Sequence, residues 1–163
     1  MTGKSEHLPI YGPGPAYVAI IVALTAVAIA LSVLGAIPVV GAGAASIPLK
    51  ALGVACVVSG VTLWLAAVKG SAIDDGIIEN RLVTQGVYAV VRNPIYSAFT
   101  LACAGAILIY GNLWLLVLLP VFWGFLTVLM RATEEKWLAN LYGREYEDYC
   151  TRTNRCIPWF PKR

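Results

Sequence analysis

Charge is scarce in this chain. Only 13% of its 163 residues are Asp, Glu, Lys or Arg, against 59% hydrophobic residues, a balance far more apolar than a soluble domain of this size needs. Histidine is nearly missing: His7 stands alone in the N-terminal tail, and no pair among the four cysteines has CxxC spacing or a histidine nearby. The sequence therefore offers no metal centre, and Cys56, Cys103, Cys150 and Cys156 read as small buried apolar residues. The net charge is +3, but nothing resembles the basic, aromatic-interleaved surface of a nucleic-acid binder, and nucleic acid is not expected as a partner. Pro13 and Pro15 remove amide donors that a phosphate-cradling glycine loop would need, so Tyr11-Gly-Pro-Gly-Pro15 reads as a turn into the first helix.

What the chain does have is long charge-free runs. Ala16 to about Val40 carries no charge, and at about 1.5 Å per residue it is ample for roughly 30 Å of hydrocarbon. It is too long for the core of a cleavable leader and lacks a strongly basic flank, so it is expected to stay as an anchor. Residues 41–46 form a small, flexible connection closed by Lys50. A second span, about 51–68, lies between Lys50 and Lys69 and contains Gly53 and Gly60, where helices can approach closely. Residues 70–79, with Asp74, Asp75 and Glu79, read as a solvated loop. Residues 94–130 are too long for one span, and Tyr110-Gly-Asn-Leu-Trp114 marks a hairpin between spans of about 94–110 and 113–130. Pro120 is a candidate kink in the last of these.

The expected fold is an all-α integral membrane protein: four transmembrane helices plus a C-terminal cytoplasmic helical segment, with residues 1–163 as a single domain. Lys4, Lys69, Arg81, Arg92 and the basic C-terminal region (Arg144, Arg152, Arg155, Lys162, Arg163) fall on one side of such a bundle, and only Lys50 falls opposite. The positive-inside rule then puts both termini and the polar centre in the cytoplasm, with membrane lipids as neighbours.

Two polar segments, about 79–96 and 131–160, are not explained by anchoring alone. The first gathers two asparagines, two arginines, a glutamine and two tyrosines around Pro94, which suits the first turn of a helix. In the second, Leu138, Leu141 and Tyr142 share a helical face with Glu134 one turn earlier, so Glu134 is expected to point into the bundle. An inward anion, loop amides with Arg81 or Arg92, and flat rings at Tyr88 or Tyr96 gather polar groups where a charged small molecule could be held. Taken singly, the same residues read as a boundary ion pair between Glu134 and Arg131, a snorkelling Arg92 and an aromatic belt.

Arg81-Leu-Val-Thr-Gln-Gly-Val-Tyr-Ala-Val-Val-Arg-Asn-Pro-Ile-Tyr96 resembles the LVTxGxYxxxRHPxY signature of the isoprenylcysteine carboxyl methyltransferase family and its phospholipid methyltransferase relatives. Glu134-Glu135 with Leu138, Tyr142-Gly143, Tyr146, Tyr149 and Ile157-Pro158 resembles that family's ending. Two motifs in order across a helical hairpin are more specific than either alone. The resemblance implies S-adenosyl-L-methionine as cofactor and a lipophilic or lipid acceptor arriving from the bilayer. It implies cofactor contacts at Asn80, Arg81, Leu82, Val83, Tyr88, Asn93, Pro94, Tyr96 and Glu134, and an acceptor-side role for Arg131; by its charge and place Arg92 is the other residue expected to orient an acceptor carboxylate. Asn93 stands where the signature has histidine; it can donate and accept hydrogen bonds but cannot titrate near neutral pH. Tyr142-Gly-Arg-Glu-Tyr-Glu-Asp-Tyr-Cys150 also resembles the end of the sterol reductases, so a nicotinamide-dependent reductase is the second reading. A non-catalytic protein on the same scaffold is the third.

Overall fold

The computed structural model describes residues 12–69 and 81–157. Asn80, the acidic stretch with Asp74, Asp75 and Glu79, the tail with Lys4 and His7, and Lys162 and Arg163 lie outside the described residues. Among the described residues the structure is helical, with two isolated β-bridges, Gly41 to Asn112 and Val91 to Asn154.

Helix α1, Gly14–Val33, has Pro15 in its first turn, where the missing amide costs nothing. It buries a single stripe of Tyr17, Ile21, Thr25 and Ser32, while Ile20, Leu24, Val27 and Leu31 are exposed. Such a surface suits hydrocarbon rather than water. The helix stops at Val33, about two turns short of the expected Val40. Gly35 follows with a φ of 78°, and the next residues are pinned from a distance by Asn112. Its Nδ2 donates to Ser32 Oγ at 2.8 Å and to the Pro38 carbonyl at 3.0 Å. Its Oδ1 accepts from the amides of Val40 at 3.0 Å and Trp114 at 3.1 Å. All four hydrogen-bonding positions of the amide are thus used, which is why it can be only 1% exposed.

Helix α2, Ser46–Lys69, begins five residues before the expected span and takes Lys50 into its own length. Its buried residues are Gly53, Gly60 and Ala67, seven apart, and this stripe lies against α3, Pro94–Tyr110. A Cβ at Gly53 would come within 2.8 Å of the Gly105 carbonyl oxygen, and one at Gly60 within 2.6 Å of the Ala98 carbonyl oxygen. The two backbones are in direct contact, so α3 cannot be separated from α2 without loss of their packing. Gly105→Leu should therefore cost about 3 kcal/mol, the upper end for overpacking, read as a lowered thermal midpoint in detergent. Gly124→Leu, where a Cβ would meet nothing within 4 Å, should leave the midpoint unchanged.

Helix α3 ends at Gly111, which takes the left-handed conformation (φ 88°) that closes a helix. A 3-10 turn, Leu113–Val117, leads into α4, Leu118–Ala132. Pro120 falls in the first turn of α4, so it starts the helix instead of kinking it. Tyr17 and Ile21 of α1, Cys103 of α3, and Phe122, Leu126 and Met130 of α4 form the core. Thr133 then breaks the helix, and two short helices follow, α5 (Glu134–Tyr142) and α6 (Arg144–Arg152), separated by Gly143. Among the described residues, three helical stretches are long and apolar enough to cross a membrane: Gly14–Val33, Gly43–Lys69 and Leu113–Tyr142, the last charge-free up to Met130. Helix α3 is apolar but has only 17 residues.

Candidate functional site

The polar segment before α3 is stapled to the C-terminal segment, and this arrangement builds the site. Arg92 N–H donates to the Asn154 carbonyl at 2.8 Å, and both the amide (3.1 Å) and the side chain (3.0 Å) of Asn93 donate to the Arg155 carbonyl. Ser97 Oγ reaches the Cys156 carbonyl at 2.5 Å, and Tyr149 O–H donates to the Tyr88 carbonyl at 2.6 Å. These bonds satisfy backbone groups that would otherwise sit unpaired beside a helix end. Asn93 makes its contact as an amide donor, a task that requires no titratable group.

Glu135 holds the same two segments together by charge. Its carboxylate takes Arg155 in a bidentate pair at 2.5 and 2.9 Å and lies 3.4 Å from Arg92 Nη1. Arg92 also donates to Cys150 Sγ at 2.5 Å and to Tyr146 Oη at 3.5 Å, so Cys150 is a polar partner as well as a small residue. The Glu135 carboxylate raises the Arg155 guanidinium above its ordinary value.

Its neighbour in sequence faces elsewhere. Glu134, at the start of α5 and beyond the charge-free run, accepts a 2.7 Å hydrogen bond at Oε1 from the Tyr96 hydroxyl in the first turn of α3. Among the described residues Oε2 accepts none, and Glu134 forms no ion pair with Arg131. Burial pushes the Glu134 carboxyl above the usual glutamate range, and the Tyr96 bond pulls it partly back. Tyr88, in a 3-10 turn at Gly86–Ala89, lies close enough to feel that charge. Burial first, then the Tyr149 phenol and the Glu134 carboxylate, push its phenol up. The result is a half-buried carboxylate with two phenol rings beside it and, among the described residues, one oxygen uncommitted, a donor set that fits an organic cation carrying a flat aromatic base.

One turn further along α3 the surroundings become apolar. A cavity of about 170 Å³ is lined by Ser97, Thr100 and Leu101 of α3, Trp123 and Leu126 of α4, and Cys156 and Ile157. Thr100 joins the two regions, since its hydroxyl donates to the Tyr96 carbonyl at 2.8 Å and bonds the Tyr17 hydroxyl at 2.9 Å.

The structure thus brings Tyr88, Tyr96 and Glu134 together, with Pro94 buried as the first residue of α3. Arg92 and Asn93 face the C-terminal segment, Arg81 is exposed, and Leu82 and Val83 are half-buried in the extended approach. Arg131 is exposed in the last turn of α4. From the sequence, Glu135, Tyr146 and Tyr149 stand only as members of the C-terminal motif, with no contact assigned to them. The three-residue spacing of the two tyrosines was a visible sign of one shared face, whereas nothing local signals that Glu135 reaches Arg155.

The fold and site together define a helical membrane protein whose polar half folds back on its own C-terminal segment around a carboxylate. The model of the phospholipid methyltransferase family matches residues 42–145, and the chain belongs to that family. It is 34% identical over 84 residues to the protein-S-isoprenylcysteine O-methyltransferase of Schizosaccharomyces pombe, covering 51% of this chain and 35% of that protein. It is 30% identical to a probable protein-S-isoprenylcysteine O-methyltransferase of Oryza sativa (50% of this chain, 42% of the relative). It is also 30% identical to protein-S-isoprenylcysteine O-methyltransferase B of Arabidopsis thaliana (49% and 41%). The chain thus spans well under half the length of the curated relatives it matches. No solved structure matches it.

Proposed function

We propose that the chain is an S-adenosyl-L-methionine-dependent methyltransferase acting on a lipophilic acceptor delivered from the bilayer, in the first place the carboxylate of a prenylcysteine-like molecule. The observation that carries this reading is the Glu134 carboxylate, held by Tyr96 with one oxygen uncommitted among the described residues, while the helix that bears Tyr96 lines an apolar cavity one turn further on. Family membership and the names of the relatives support methyl transfer over reduction of a double bond. We further propose that α3 is a short fourth crossing, and that both termini and the site are cytoplasmic, from the lysine and arginine asymmetry.

The bound cofactor supplies an electrophilic methyl group on a sulfonium. In this reading Glu134 holds the cofactor's ammonium, Tyr88 and Tyr96 offer flat surfaces, and the apolar cavity takes the acceptor's chain while excluding water. We assign the orienting of an acceptor carboxylate to Arg131 in preference to Arg92, because Arg92 is already engaged by Glu135. A methyl moving from sulfonium to carboxylate oxygen cancels two opposite charges, so a dry site that aligns them needs no proton acceptor. An amine acceptor would need a base, and Glu134 is committed to the cofactor.

Incubation with methyl-labelled cofactor and a panel of prenylcysteine, fatty-acid and aminophospholipid acceptors, followed by mild alkali, tests this. Label released as methanol is the expected result. Base-stable label on the aminophospholipid alone would overturn the choice of acceptor.

A further inference from the structure

The turn that leads into α1 lies against the carboxylate. A Cβ built at Gly12 would come within 2.7 Å of Glu134 Oε1 and within 3.5 Å of its carboxyl carbon, and one built at Gly14 would fall onto the Tyr96 hydroxyl and ring. Neither glycine has a positive φ, so backbone conformation does not demand them. Space does: only hydrogen fits between this turn and the Tyr96–Glu134 pair. Pro13 between them stiffens the turn, and Tyr17, one turn on, is fully buried with its ring edge-on to Tyr96 at 5.8 Å. The N-terminal turn is therefore anchored beside the carboxylate from below as well. Gly12, Pro13, Gly14 and Tyr17 lie outside residues 42–145, the part matched by the family, whereas Tyr96 and Glu134 lie within it.

We propose that Gly12 and Gly14 are positioning residues of the cofactor site: by lacking a side chain they let the turn into α1 form a fixed wall on the Oε1 side of Glu134, leaving Oε2 as the oxygen offered to the ligand's cation. The proposal rests on the reading of Glu134 as the cofactor's anion. With Tyr96 donating to Oε1 and Gly12 packed on it, the carboxylate cannot rotate to exchange its oxygens. Among the described residues, the polar groups that face it are Tyr96 from α3 and Tyr88 from the 3-10 turn. A methyl group at position 12 would push Oε1 off Tyr96 and turn the carboxylate away. The three atoms nearest to that Cβ all belong to Glu134, so its side chain takes the first displacement.

The test uses the full chain in detergent with S-adenosylhomocysteine as probe. Gly12→Ala should weaken binding about ten-fold, a change of about 1.4 kcal/mol, with thermal midpoint and helical circular dichroism unchanged. Glu134→Asp withdraws the carboxylate by one methylene from the added methyl, so adding Gly12→Ala to Glu134→Asp should cost little further binding. A second readout needs no ligand. The carboxyl titration assigned by the infrared band missing in Glu134→Gln should move to higher pH in Gly12→Ala, because the displaced carboxylate loses the Tyr96 bond. If the unaltered protein binds the probe, Glu134→Gln does not, and Gly12→Ala binds like the unaltered protein with an unmoved titration, the wall is refuted and the cofactor reading stands. If neither the unaltered protein nor any variant binds the probe, the cofactor reading fails. The titration then decides the contact alone, and an unmoved band overturns it.

Discussion

Glu134→Gln is expected to lower S-adenosylhomocysteine affinity by at least about thirty-fold, since loss of one partner of a buried, charged hydrogen bond costs about 2–5 kcal/mol. The substitution keeps an oxygen that can accept from Tyr96, so the contact at 2.7 Å survives and only the charge is removed. Its effect on stability should run the other way. Burial raises the folded-state pKa of this carboxyl, so the folded protein holds the proton more tightly than the unfolded chain. Stability from this group is greatest at low pH and falls as pH rises from the ordinary glutamate value through the raised one. Above that window the glutamine variant, with no charge to bury, should be at least as thermostable as the unaltered protein. The same titration predicts a pH dependence of binding. The unaltered protein should lose affinity on acidification, at a pH above the ordinary glutamate range, towards the level of the glutamine variant, whose own affinity should not change there. Binding titrations of both proteins across the acid range check it, and parallel pH profiles would sink the assignment.

Glu135→Ala should do the opposite, harming the fold and sparing the ligand. Its carboxylate is the shared partner of Arg92 and Arg155, whose side chains are 11% and 20% exposed. Removing it leaves two guanidinium groups facing each other with little water to screen them. Breaking a well-buried pair costs about 3–5 kcal/mol, and the remaining exposure here reduces that to about 2–4 kcal/mol. The loss should show as a lowered thermal midpoint and as early release of the C-terminal segment, because the Asn154 and Arg155 carbonyls are held by the same strip of chain. Hydrogen exchange would report faster exchange at the amides of Arg92 and Asn93. Binding of S-adenosylhomocysteine below the lowered midpoint should fall much less than for Glu134→Gln.

These neighbouring glutamates show what could be read from the sequence and what could not. Helical phase alone put Glu134 inward with Leu138, and α3 was bounded at both ends by residues with a local meaning, Pro94 and Gly111. Gly53 and Gly60 announced a close approach, though not that Gly105 would receive it. By contrast, the end of α1 is decided by Asn112, roughly eighty residues away, whose amide captures Ser32, Pro38 and Val40. The role of Glu135 depends on Arg155, twenty residues downstream, and that of Gly12 on Glu134. Such contacts join residues with no shared period or motif spacing, so local pattern carries no trace of them. Pro120 misled for a related reason: a proline inside an apolar run reads as a kink, and only the 3-10 turn before it shows that the helix begins there.

The most direct measurement is calorimetric titration of the unaltered, detergent-solubilised protein with S-adenosylhomocysteine and, separately, with NADPH. A methyltransferase site built on Glu134 predicts saturable binding of the first and none of the second. Binding of NADPH without S-adenosylhomocysteine would contradict it and favour the reductase reading, and binding of neither would favour a scaffold without catalysis.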